Sequence, residues 1–183
     1  PVPNEACPHN LAPTCSTTAA LAAGDALAVA LMGVRGFGRE HFALNHPAGR
    51  LGRRLTLKVS DIMRGGEDNP VVRSDVSAMQ MLVELTRKRA GAVSVVDRRG
   101  KLVGLITDYD IRRCLEQGLD IRKLPVARIM NVRPTTIAPG TLAARAVEIM
   151  EGRKNPFNVL PVANSRGRSV GMIQIHDLRA RGL

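Results

Sequence analysis

Hydrophobic positions fall into two kinds of stretch along this chain. From Ala19 to Met32 nearly every residue is apolar, broken only by Gly24 and Asp25. The run predicts a long helix opened by Ser16, Thr17 or Thr18 as N-cap and ending near Val34. Being apolar on nearly every face, it is expected to be buried, in a core or against another subunit. Residues 35–55, RGFGREHFALNHPAGRLGRRL, hold five Gly and Pro residues in 21 and read as an irregular connector. From Thr56 onward the pattern is of short segments. Val59–Met63 predicts a helical turn and Asn69–Val72 an extended lead-in. Ser77–Arg89 predicts a helix: Ser77 and Gln80 have capping-box spacing, with Met79, Leu82, Val83 and Thr86 on one stripe. Val93–Val96 and Leu102–Ile106 are β-rich runs joined by Asp97-Arg98-Arg99-Gly100, a hairpin signal, and Asp108–Glu116 closes the unit as a helix.

The same order is then written again. GLITDYDIRR at 104–113 recurs as GMIQIHDLRA at 171–180, 67 positions later, and Val59–Met63 recurs as Val126–Met130. Gly100 and Gly167 fall on the same offset. Thr141–Glu151 predicts the second helix, Asn158–Val162 and Ser169–Ile173 the second hairpin, and His176–Arg181 the last helix. A β-α-β-β-α unit of this size is too small to bury both faces of its own sheet, so two units packed on each other are expected.

At 183 residues and 44% apolar content the chain has enough material for a real core. Its four aromatic residues, Phe37, Phe42, Tyr109 and Phe157, leave that core to aliphatic side chains. The net charge of +11 comes from 27 basic against 16 acidic residues, 22 of the basic ones Arg. They are scattered in ones and twos with no aromatic residues between them for base stacking, which speaks against a nucleic-acid partner. Solvated faces, or steering of a small anionic ligand, account for them better. Three cysteines with no close-paired spacing indicate neither a disulfide framework nor a metal site, and a reducing cytosol is the simplest setting. The Ala19–Met32 run falls short of the roughly 20 residues that span a bilayer, and no basic segment precedes it as in a signal peptide. No membrane association is therefore expected. A start at Pro1 within a polar, Pro-rich stretch reads as a fragment or processed product.

With GLITDYD and GMIQIHD in view, residues 57–183 resemble a tandem cystathionine-β-synthase-type (CBS) domain pair, with repeats at 57–122 and 123–183. Residues 1–56, with EACPHNLAPTCSTTAALAAGDALAVALMGVRGF followed by FALNHPAGRLGR, resemble the C-terminal part of a sugar isomerase (SIS) domain as found in arabinose 5-phosphate isomerases. The implied fold is α/β: a flavodoxin-like SIS remnant and connector, then two β-α-β-β-α repeats. The implied activity is reversible conversion of D-ribulose 5-phosphate to D-arabinose 5-phosphate for synthesis of the acid sugar Kdo and lipopolysaccharide, by a cytoplasmic homotetramer that requires no cofactor or metal. Family members read His-Pro-Gly-Gly where this chain has His46-Pro47-Ala48-Gly49, and Ala adopts a left-handed backbone less cheaply than Gly. The substrate-binding loops of SIS domains lie upstream, so the chain alone is expected to be inactive.

Aldose–ketose isomerisation moves a proton between C1 and C2 and needs an acid/base pair. The resemblance implies Glu5 and His46 as that pair, with Glu5 preferred for the C1/C2 transfer and His46 for ring opening or the second proton transfer. Read without it, Glu5 is a solvated loop charge and His46 a turn residue. Ser16–Thr18 read as ordinary caps ahead of a phosphate site. In the repeats the resemblance implies an adenosine nucleotide or nucleotide sugar as regulator, the ribose diol donating to Asp110 and phosphate facing Thr107. Thr107 and Asp110 are also spaced as a capping box, which needs no ligand. The second copy keeps Asp177 but has Gln174 in place of Thr, so one intact and one degraded site are expected. A nucleotide-sensing or structural module without catalysis is the alternative.

Overall fold

The computed structural model describes residues 2–45 and 49–183, and the chain divides into two units, residues 1–46 and 47–183.

In the first unit, helix α1 (Cys15–Val34) is followed by α2 (Arg39–Asn45). The cap of α1 is Thr14, a turn earlier than Ser16–Thr18, because the Thr17 and Thr18 hydroxyls donate back to the Thr14 carbonyl from inside the first turn. Gly36, at φ +60°, takes the left-handed turn beyond its C-terminus. No residue of α1 is buried within the chain, so of the two expected places for its apolar surface a core of this chain is not the one. The helix has 20 residues, six more than the apolar run alone, and Asp25 is its one charge, so by length and composition it is able to cross a membrane.

The second unit opens with α3 (Arg50–Thr56), so residues 35–55 are not a plain connector: Gly36, Gly38 and Gly49 lie between helices and not within them. Beyond a single 3-10 turn at Val59–Asp61 come β1 (Arg64–Gly65), β2 (Val71–Arg73), α4 (Ala78–Lys88), β3 (Ala92–Val96), β4 (Leu102–Thr107) and α5 (Asp108–Glu116). The second copy supplies α6 (Val126–Ile129), α7 (Ala143–Glu151), β5 (Val159–Ala163), β6 (Ser169–Gln174) and α8 (Ile175–Ala180). The unit boundary lies ahead of Thr56 because α3 packs against α7. Ser77 does cap α4, its hydroxyl accepting from the Gln80 N–H. The face buried by α4 is Ala78, Met81, Leu82 and Leu85, whereas Met79 and Val83 of the expected stripe are exposed. The cap sets the phase: with Ala78 as first helical residue, the i, i+3, i+4, i+7 face starting there lies against β3.

Two three-stranded sheets result, in the orders β2-β3-β4 and β1-β6-β5. Each copy also lends a short segment to the other's sheet. β1 belongs to the first copy yet pairs with β6 of the second, Arg64 opposite Met172 and Gly65 opposite Gly171. Reciprocally, Asn131 of the second copy bridges to Leu105 of β4, with backbone bonds of 3.0 and 2.8 Å. The cores follow suit. Val126 and Ile129 are buried with Val93, Val95 and Ile106, and Val59 is buried with Leu160, Val162 and Ile173. A third cluster joins the sheets through Ala92, Leu105, Met172 and Val159, two pairs related by the repeat offset. Lys101 and Arg168, also offset equivalents, bridge antiparallel, and the Leu102 N–H donates to Gly167 O while Ser169 N–H donates to Gly100 O. A position that meets its own equivalent marks a local two-fold axis. The same contact gathers Arg98, Arg99, Lys101, Arg166 and Arg168, all exposed, onto one pair of turns, so the basic residues are less scattered than their sequence positions imply.

The exchange brings Met63 over Gly171 and Met130 over Gly104. A Cβ at Gly171 would lie 2.7 Å from the Met63 sulfur and 3.0 Å from the Arg64 carbonyl, and one at Gly104 would lie 2.5 Å from the Met130 sulfur. Gly171→Ala is therefore expected to cost about 1–3 kcal/mol in urea unfolding, with part of that loss recovered in a Gly171→Ala/Met63→Ala double variant. Additive losses would show that the two residues do not meet.

Candidate functional site

Glu5 lies in the loop that leads into α1, and its carboxylate folds onto the start of that helix. Its Oε2 accepts from the Thr14 N–H at 2.7 Å, the Thr14 hydroxyl at 3.0 Å and the Ser16 N–H at 3.2 Å. The loop is closed from the other side by Asn10, whose Oδ1 accepts from the Glu5 N–H at 2.6 Å. These donors, the Ser16 hydroxyl foremost and then the Thr14 and Ser16 amides, lower the Glu5 pKa from the ordinary 4.5 to about 2. The amide donors are the otherwise unpartnered N–H groups of a helix start, which favour a negative charge. The depressed value means the cap's stabilisation is fully present above about pH 4.5 and is lost as pH falls through about 2. A carboxyl-carbon NMR titration is expected to place the Glu5 midpoint near 2, and Thr14→Val to raise it; a midpoint at the ordinary value would remove the cap. His46 lies outside the described residues, so nothing is stated of its surroundings.

Thr107 and Asp110 are adjacent, as their spacing implies, at the junction of β4 and α5. Asp110 Oδ2 accepts from the Thr107 N–H at 2.9 Å and from its hydroxyl at 2.7 Å, while the Asp110 N–H lies 3.4 Å from Thr107 Oγ1. The capping box is formed. Arg113 reaches Asp110 Oδ1 at 3.5 Å from a half-exposed position one turn on. Asp110 itself is buried, one of two buried polar side chains among the described residues.

Asp177, the offset equivalent of Asp110, is not brought to that place, and its surroundings differ. Gln174 caps nothing with its side chain and instead donates to the Ala90 carbonyl of the first copy. Asp177 is taken by Arg64 in a fork, Nε to Oδ2 at 3.2 Å and a terminal nitrogen to Oδ1 at 3.4 Å. The remaining Arg64 nitrogen donates to Lys88 O at 3.1 Å and Arg89 O at 3.4 Å, the carbonyls at the end of α4. A cation is favoured at such a helix C-terminus. A cavity of about 370 Å³ lies alongside, lined by Arg64, Asp68, Arg87 and Lys88. Sequence reasoning passed over Arg64, Arg87 and Lys88. The signal available was that the equivalent of Arg64 is Asn131, a change of charge within otherwise matching segments.

The family model for the CBS domain matches residues 59–117 and 126–182. Along its whole length the chain is 47% identical over 182 residues to arabinose 5-phosphate isomerase KdsD of Pseudomonas aeruginosa, and it spans 55% of that relative. The chain thus covers about half the length of the curated relatives it matches. Among solved structures it is similar to CBSX2 in complex with AMP, with a TM-score of 0.60 and 24% identity over 69% of this chain and 96% of that one. It is also similar to the CBS domain pair of protein MJ0100 in complex with 5′-methylthioadenosine and S-adenosyl-L-methionine, with a TM-score of 0.58 and 25% identity over 67% of this chain and 93% of that one.

Proposed function

The chain belongs to the CBS-domain family, and on that footing we propose that it is the CBS-bearing part of an arabinose 5-phosphate isomerase. One observation carries the reading. Identity to the isomerase runs through the whole chain, including residues 1–58, which the CBS family does not match.

The reaction proposed interconverts D-ribulose 5-phosphate and D-arabinose 5-phosphate, in a cytoplasmic homotetramer serving Kdo and lipopolysaccharide synthesis. A base takes a proton from C1 of the ketose, giving an enediol, and the proton returns at C2 to give the aldose. Glu5 is the preferred base, and His46 the group that opens the sugar ring or moves the oxygen-bound proton. A carboxylate held near 2 is ionised throughout the working range but is a weak acceptor for a proton on carbon. Each donor it gives up from Thr14 or Ser16 raises its basicity. The test is turnover of ribulose 5-phosphate by the full-length protein and its Glu5→Gln variant.

The CBS pair is assigned as a regulatory module for an adenosine nucleotide or nucleotide sugar. The buried Asp110 beside Thr107, and the ligands of the MJ0100 pair, favour that over a purely structural role. AMP is expected to raise the melting temperature of the chain by several degrees at 100-fold excess over its Kd. Asp110→Ala should lower that shift. Wild-type behaviour of Asp110→Ala, with no shift from adenine or cytidine nucleotides, would leave Thr107 and Asp110 as a cap alone.

A further inference from the structure

We propose that Arg64 gates the Asp177 cleft, so that this half of the pair admits only nucleosides that carry a phosphate, while the Thr107/Asp110 half admits nucleosides with or without one. The inference rests on the nucleotide reading above.

A ribose diol binds an Asp by donating two O–H groups to its carboxylate oxygens. At Asp177 both oxygens already receive the Arg64 fork, at 3.2 and 3.4 Å. The two side chains are only 29% and 23% exposed, so water is poorly placed to replace either partner. Pulling them apart leaves a half-buried guanidinium without its counter-charge, which is costly. A neutral nucleoside offers Asp177 its diol and offers Arg64 nothing. A phosphorylated one supplies both partners at once: hydroxyls for the carboxylate, and an anion for Arg64 within the cavity that Arg87 and Lys88 also line. Asp68 is the acidic residue on that wall, and Glu84 holds Arg87 at 2.8 Å, so the excess of positive charge is modest and Arg64 is its decisive member. The bonds from Arg64 to Lys88 O and Arg89 O serve as a pivot, letting the fork exchange one anion for another without leaving the helix end.

The other half lacks this device. Asn131 stands at the equivalent of Arg64, uncharged, with its Oδ1 accepting from the Arg133 N–H at 3.0 Å. At Asp110, whose side chain is 11% exposed, Oδ2 is held by the Thr107 N–H and hydroxyl. Among the described residues Oδ1 faces only Arg113, which comes from the same helix at 3.5 Å and is 49% exposed, so water can take over the guanidinium's hydrogen bonds when a ribose hydroxyl reaches Oδ1. Arg64 against Asn131 is the difference that sets the admission rule, beside the Thr107/Gln174 and Arg113/Ala180 differences at the same two places.

Calorimetric titration of the full chain with adenosine and with AMP tests this. Adenosine is expected to fill one site per chain and AMP two. In Arg64→Asn, which copies Asn131, adenosine should fill two sites while AMP binds its second site at least tenfold more weakly. In the unaltered chain the Arg64 Nε–H resonance should move on adding AMP and stay put on adding adenosine, a readout that needs no variant to fold. Two adenosine sites in the unaltered chain, or an Arg64 resonance indifferent to AMP bound at two sites, would overturn the gate while leaving the nucleotide reading intact. Failure of both compounds to bind either form would overturn the nucleotide reading itself, and the gate with it.

Discussion

Glu5→Gln in the full-length protein is expected to lower ribulose 5-phosphate turnover by about 10²- to 10⁴-fold, the range carried by a positioned proton-transfer group. The substitution separates the two things Glu5 does. A glutamine oxygen still accepts from the Thr14 and Ser16 amides, so the start of α1 keeps its cap, but it cannot take a proton from carbon. Helix content and melting temperature should therefore stay near those of the unaltered protein while kcat falls. Glu5→Ala removes both roles and should add a loss of stability to the loss of rate. Full activity in Glu5→Gln would remove Glu5 from the chemistry and leave it as a capping residue.

Ile173→Ala should destabilise residues 47–183 by about 2–5 kcal/mol, and Ile106→Ala at the equivalent position by a similar amount. Both side chains are fully buried, each in its own cluster, so truncation removes contacts that no solvent replaces. At roughly 3 °C per kcal/mol for a unit of this size, the melting temperature should fall by about 10 °C. The more informative outcome is the shape of the transition. The core around Ile106 contains Val126 and Ile129 from the second copy, and the core around Ile173 contains Val59 from the first. Neither copy can leave without stripping the other's core, so each variant should unfold in one step, with circular dichroism and limited proteolysis coinciding. A second, separate transition in either variant would mean that the copies fold independently.

The hairpins, the helices that follow them and both cap positions in the first copy are legible in the sequence, because β-rich runs around Gly100 and Gly167 and the Ser77/Gln80 and Thr107/Asp110 spacings are local signals. The short helices α2 and α3 are not legible in it, since Gly36, Gly38 and Gly49 read as interruptions whereas they bound helices, and Gly52 lies within α3. Of the expected α4 stripe only Leu82 packs inward, because several apolar residues are available and only packing against β3 selects among them. Thr107 and Asp110 form the capping box that their spacing predicts, while the state of Glu5 as an ionised cap depends on donors nine and eleven residues away.

By itself the sequence determined that there are two copies of one unit, where their strands and turns fall, and that neither could hide its own sheet, since these follow from periodicity and from the area a small unit can bury. Only the tertiary structure decided that Lys58–Gly65 and Leu124–Asn131 cross to the opposite copy, and that Arg64 consequently meets Asp177, 113 residues away. Those pairings bring together positions remote in the chain, and a pattern read along one segment carries no term for which distant surface that segment will cover.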